Sequence, residues 1–256
     1  MSALQAHQFP CRSDNFGLLL RYGDDGAAAA IDAPEVSAMR KALAETGWRL
    51  THLLITHHHA DHVEGNLDVK RETGCKVVGP KREASKIPGI DTAISGGERF
   101  TLGEHTVEVL DTPGHTLGHI SYWFPQAKIA CVADTLFSLG CGRILEGDPE
   151  MMWASLQKLM ALPSDTTFYC GHEYTQANAK FALTIEPGNA ALVARAAEVD
   201  RLRAAGKPTL PSTIGAELAA NPFLRPSSAE IRHRLGMADK ADWQVFAEIR
   251  ERKNRG

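Results

Sequence analysis

Short stretches of alternating or wholly apolar residues fill the first two thirds of the chain and read as strands. They fall at 16–22, 27–32, 50–56, 76–79, 106–110, 119–124, 128–133 and 167–170. Between them, apolar positions recur at helical spacing over about 35–46, 62–73 and 149–162. In the first of these, Val36, Met39 and Leu43 share one face. Strands interleaved with helices predict sheet layers covered by helices. Beyond residue 173 the texture changes. Alanine, arginine and glutamate dominate, β-branched residues thin out, and helices are expected at about 187–205, 212–220, 227–235 and 239–252. Pro187-Gly188, Gly206-Lys207-Pro208, Pro211, Pro226 and Gly236 punctuate them. The expected organisation is a mixed α/β domain over 1–172 and a smaller all-helical domain over 173–256.

Composition narrows the setting. A chain of 256 residues can bury a large core without disulfide staples. Its five cysteines are an odd number with no C-x-x-C pair, which fits a reducing compartment. No apolar run approaches the roughly 20 residues that cross a bilayer, and the start Met1-Ser2-Ala3-Leu4-Gln5-Ala6 lacks a signal-peptide pattern. A cytoplasmic protein with no membrane partner is expected. The net charge of −3 gives no general attraction to nucleic acid. It is unevenly spread: residues 1–172 carry 15 Lys and Arg against 21 Asp and Glu, and residues 173–256 carry 13 against 10. The basic excess gathers in Arg250-Glu251-Arg252-Lys253-Asn254-Arg255, by default a solvated tail.

Thr56-His57-His58-His59-Ala60-Asp61-His62 carries the most chemistry. Neutral imidazole nitrogen and carboxylate oxygen are the donors that zinc, iron and manganese accept. Four imidazoles and a carboxylate follow directly on an apolar strand. His57 and His59 can point the same way on extended backbone, and Asp61 and His62 can turn toward a second position. Three more residues sit where strands run into loops: His115, Asp134 and His172. Singly each has an ordinary explanation as a turn or loop residue. With His57, His59, Asp61 and His62 they make five His and two Asp, enough for two metals with one aspartate between them.

The pattern T-H-x-H-x-D-H, with the later G-H-T, A-D-T and G-H-E, resembles the metallo-β-lactamase superfamily. The resemblance implies an αββα sandwich with metals at the sheet edge. His57, His59 and His115 would hold the first metal, Asp61, His62 and His172 the second, and Asp134 would bridge. His58 and His119 match no ligand position. Within the superfamily the chain is similar over essentially its whole length to the glyoxalase II (hydroxyacylglutathione hydrolase) family. The motifs are Gly140-Cys141-Gly142-Arg143, Cys170-Gly171-His172-Glu173-Tyr174-Thr175, Glu186-Pro187-Gly188-Asn189, Asn221-Pro222-Phe223-Leu224-Arg225 and Arg250-x-x-Lys253. By that similarity Arg143, Leu145, His172, Tyr174, Arg250 and Lys253 would line the substrate. Many relatives carry Lys at the place of Arg143 and an aromatic at that of Leu145. An Arg fork is not a Lys point charge, and Leu removes a stacking or hydroxyl contact.

The implied reaction is hydrolysis of S-(2-hydroxyacyl)glutathione, typically S-D-lactoylglutathione, to glutathione and D-lactate, the second step of methylglyoxal detoxification. Two divalent ions, zinc with iron or manganese as alternatives, would activate a bridging hydroxide, with Asp61 and Asp134 holding it. Arg250 and Lys253, three residues apart on a helix, would receive the two glutathione carboxylates. A monomer is expected. The alternative is a glutathione persulfide dioxygenase with a single iron, against which the seven-donor set and the basic helical end weigh. A nuclease of the same superfamily would need a basic surface, which the charge distribution denies.

Overall fold

Ala27–Ile31 is a run of five buried residues with no polar interruption, the signature of a strand covered on both faces. The computed structural model describes residues 3–255, which fall into two compact units: 3–111 with 116–132, and 112–115 with 133–255. The contact boundary thus lies near residue 133, earlier than the change in texture at 173.

In the first unit the order is β1 (Gln5–Cys11), β2 (Asn15–Arg21), β3 (Ala27–Ile31), α1 (Val36–Thr46), β4 (Arg49–Leu54), α2 (Ala60–Val63), α3 (Asn66–Thr73), β5 (Lys76–Pro80), β6 (Thr92–Ile94), β7 (Arg99–Leu102), β8 (His105–Asp111), β9 (Ile120–Phe124) and β10 (Ile129–Ala133). Strands β1 to β6 form one sheet in sequence order. It is antiparallel from β1 to β3 and parallel from β3 to β6. Strands β7 to β10 pair antiparallel in a second sheet. Leu19, Leu53, Ile55 and Val77 pack with Met39 and Ala42 of α1 and Val69 of α3, so the helical stripe read from Val36, Met39 and Leu43 does cover a sheet. Pro10 sits in β1, which pairs only with β2, an edge where a missing N–H is tolerated.

The second unit continues with β11 (Leu136–Phe137), β12 (Gly140–Cys141), α4 (Pro149–Met160), β13 (Thr167–Cys170), α5 (Thr175–Ile185), α6 (Ala190–Ala204), β14 (Ser212–Thr213), α7 (Ile214–Ala220), α8 (Ala229–Leu235) and α9 (Asp242–Arg255). Several helix starts are capped by side chains. Asp148 accepts from the Met151 amide ahead of Pro149, and Asn189 from the Ala191 and Leu192 amides. No helix among the described residues is long and apolar enough to cross a membrane.

Two of the family-type motifs turn out to be braces. Asn221 donates to the carbonyls of Phe137 and Gly140 and to the buried Glu217. Glu217 in turn accepts from Ser138, from the Leu139 amide and from Ser212. Together they hold the segment joining β11 to β12, where Leu139 takes a left-handed backbone (φ 56°). Glu186 accepts from both ends of the Arg225 guanidinium, from Asn189 and from Ser228, tying α5, α6 and α8.

Candidate metal centre

In the first unit, β4 runs through Ile55 and Thr56 into the histidine segment. Its root is fixed: the Tyr122 hydroxyl donates to the Ile55 carbonyl at 2.7 Å, and the Ile120 amide to the Thr56 carbonyl at 3.0 Å. His59 is extended (φ −62°, ψ 145°) before α2 begins. Side chains therefore alternate. His57 Nε2 and His59 Nδ1 come within 3.1 Å of each other. His58 takes the opposite side, its Nδ1 2.9 Å from Glu83. One turn on, His62 Nε2 lies 3.6 Å from Asp61 Oδ2, and Asn15 donates to that same carboxylate oxygen at 3.2 Å. His119 makes a stacked contact with the His57 ring, centroids 4.9 Å apart.

The rear nitrogens are held by a buried chain. His57 Nδ1 pairs with Thr56 Oγ1 at 3.0 Å, and Thr56 Oγ1 donates to Asp32 at 2.8 Å. His62 Nδ1 donates to Asp32 at 2.8 Å, and the Thr56 amide donates to its other oxygen. Such partners fix tautomer and ring direction, turning each Nε2 toward a prospective ion. Donor atoms of Asp32, His57 and His62 fall within 4.8 Å of one another. Asp32 is nevertheless poorly placed as a ligand, since its oxygens are engaged by Thr56 and His62. It sits in the left-handed region (φ 56°), which aspartate tolerates better than most residues.

In the second unit, His115, Asp134 and His172 are each at least nine-tenths buried. One carboxylate oxygen, Asp134 Oδ2, lies 3.5 Å from His115 Nε2 and 3.3 Å from His172 Nε2. One carboxylate oxygen thus faces both imidazoles. His115 Nδ1 donates to the Arg143 carbonyl at 2.8 Å, again leaving Nε2 for the front. The Arg143 segment comes this close because residue 142 is glycine: a Cβ there would collide with the Asp134 carbonyl oxygen. The donors fit a divalent ion: neutral nitrogens with oriented rings, plus carboxylate oxygens.

The expected substrate residues all belong to the second unit. Arg143 is exposed, and Leu145 is 58% exposed. The Tyr174 ring stacks on His172 with centroids 4.7 Å apart and planes 3° from parallel. Lys253 donates to the Ala177 carbonyl and lies over Phe181; burial and nearby Arg250 hold its pKa below the usual lysine value. Arg250, expected to receive a glutathione carboxylate beside Lys253, is turned inward. It is 6% exposed and donates to the Cys141 carbonyl and to Asn254, because α9 packs this face inward with Phe246 and Ile249.

All five cysteines are buried and free. Burial pushes Cys141 up to about 11, with Arg250 pulling the other way, and pushes Cys11 up to about 12. Such thiols are protonated at neutral pH and are poor nucleophiles. Sequence reasoning gave no role to Asp32, Thr56, Asn15, Glu83 and Glu217. The one available signal was an aspartate directly after five apolar residues at 27–31.

Two family models match. "Metallo-beta-lactamase superfamily" covers residues 23–172, and "Hydroxyacylglutathione hydrolase C-terminus" covers 173–256. The chain is 55% identical over 251 residues to the hydroxyacylglutathione hydrolase of Brucella anthropi, covering 98% of this chain and 96% of that one. It is 53% identical to the hydroxyacylglutathione hydrolase of a Chelativorans species, covering 98% of each. Among solved structures it resembles ETHE1 from Myxococcus xanthus, with TM-score 0.69 and 24% identity over 98% of this chain and 91% of that one. It also resembles the BLEG-1 B3 metallo-β-lactamase, with TM-score 0.66 and 23% identity over 86% of this chain and all of that one. At these identities the two structures speak for the fold alone.

Proposed function

This chain belongs to the hydroxyacylglutathione hydrolase family of the metallo-β-lactamase superfamily, and on that premise we propose that it cleaves S-(2-hydroxyacyl)glutathione, typically S-D-lactoylglutathione, to glutathione and a 2-hydroxy acid. The αββα sandwich followed by a helical C-terminal region is the fold. The proposed division is a catalytic domain over 1–172 and a helical substrate domain over 173–256, supported by two family matches that meet at that boundary. A cytoplasmic setting fits the reducing-type cysteine usage, and a monomer is proposed.

His57, His59 and His115 would hold one ion, Asp61, His62 and His172 the other, with Asp134 between them. Zinc is the proposed ion, and iron and manganese suit the same donors. Bound divalent ions would supply Lewis acidity toward the thioester carbonyl and toward a water. The chain's own part is to aim the donors and to place the substrate. Asp32 and Thr56 lock two rings, and the Arg143 carbonyl locks a third. The leaving thiolate, of pKa about 8.5, departs without a dedicated general acid. Arg143 and Lys253 would meet the two glutathione carboxylates. Tyr174, flat against His172, would form a wall for the substrate beside the donors. Arg250 would act through Cys141, steadying the strand that leads into Arg143.

The observation that carries this reading is Asp134 Oδ2 set between two imidazole nitrogens, both rings buried. The single-iron dioxygenase is not favoured, because full-length relatives at 53–55% identity are named as the hydrolase. The test is the thioester absorbance of S-D-lactoylglutathione on adding metal-replete protein. Its decay, with release of free thiol, is expected; an unchanged signal ends the assignment.

A further inference from the structure

We propose that Glu83 is a positioning residue for the histidine segment, acting through backbone amides and not as a ligand. This rests on the metal reading above. Glu83 sits in the 3-10 turn Lys81–Lys86 and is 3% exposed. A carboxylate so enclosed is tolerated only where charge-assisted bonds fill its oxygens. Here each oxygen takes a different amide: Oε1 accepts from Gly118 and Oε2 from His58, both at 2.8 Å. The His58 amide belongs to the peptide that joins His57 to His58. Fixing it sets that peptide plane, and so the direction in which the His57 imidazole leaves the chain.

The second grip serves the same ring from the other side. Gly118 precedes His119, whose ring stacks on His57. Arg82 adds a bond to the neighbouring Leu117 carbonyl at 3.3 Å. There is no slack: a Cβ on Gly118 would lie 2.6 Å from Glu83 Cγ and 2.9 Å from Arg82 Cβ. Glutamine cannot replace Glu83, since its one carbonyl oxygen serves one amide and its NH2 would face the other.

The experiment compares metal-free wild type, Glu83→Gln and Gly118→Ala. Each is titrated with zinc against a chromophoric chelator, and with cobalt followed by its visible absorption. Wild type is expected to take two ions. Both variants should lose roughly 10–100-fold in affinity for one ion, keep the other, and show a shifted cobalt spectrum. If both variants bind two ions with wild-type affinity and spectrum, the proposal is overturned, even where their melting temperatures fall. Gly118→Ala keeps the test decisive should Glu83→Gln not fold. Wild type that takes up no metal would overturn the proposed function itself, a separate outcome.

Discussion

His57, His62 and His115 each have a neighbour on the rear nitrogen, and that neighbour sets which way the ring faces. Asp32 is the plainest case, serving His62 directly and His57 through Thr56. Asp32→Ala is therefore expected to weaken metal binding by about 10–100-fold, measured by chelator competition; wild-type affinity would remove Asp32 from this role. Lys253→Ala should raise KM by roughly tenfold or more while kcat changes little, because the lost bond forms equally in ground and transition states. An unchanged KM would take Lys253 out of the substrate site. The seven proposed donors stand out in the sequence as metal-type residues, four of them packed into 57–62 and three where strands run into loops. Asp32 and Glu83 do not, since a single acid after a strand or in a turn is ordinary until its partners are known. Arg250 was legible as a cation but not as a buried one, which depends on Cys141, 109 positions away.

Elements were legible where one face, or both, is apolar. All eight expected strands and the helices near 35–46 and 149–162 have counterparts. The helix expected over 62–73 is two, α2 and α3, broken where Gly65 approaches the Ala33 carbonyl too closely for a side chain. Strand β1 escaped notice because Pro10 and polar neighbours hide an edge strand, and β11, β12 and β14 are two residues each. Helix α5 escaped because Thr175-Gln176-Ala177-Asn178 reads as loop, yet Asn178 is buried and donates to the Ser138 carbonyl. The brace at Glu186 gives an element-scale prediction. Burial alone would raise its pKa, but the bonds from Arg225, Asn189 and Ser228 outweigh this and hold it below the ordinary 4.5. Its charged form thus stabilises the fold at neutral pH, and the contribution is lost as pH falls from 4.5 through the lower folded value. Glu186→Gln should cost about 1.5–3 kcal/mol at pH 7 in urea unfolding, and the gap to wild type should shrink below pH 4.5. A gap that does not change with pH would contradict it.

At the scale of the whole molecule, chemistry is concentrated in groups that water reaches poorly. Burial holds the thiols above their ordinary range, so no cysteine is offered as a nucleophile, and the proposed nucleophile is a water activated by bound ions. A metal held by these donors would bind the folded chain in preference to the unfolded one. Chelator treatment should therefore abolish thioester cleavage and lower the melting temperature, with both recovering on metal return. The fold class and the change of texture near residue 173 were visible in the alternation of strands and helices. The contact boundary near 133 was not, because it depends on which loops pack together. The most direct measurement is a titration of metal-free protein with zinc, following bound metal and the rate of S-D-lactoylglutathione cleavage together. The expected result is a rate that climbs until two ions are bound per chain and then levels. Levelling at one ion, or two bound ions with no cleavage, would contradict a two-metal thioester hydrolase.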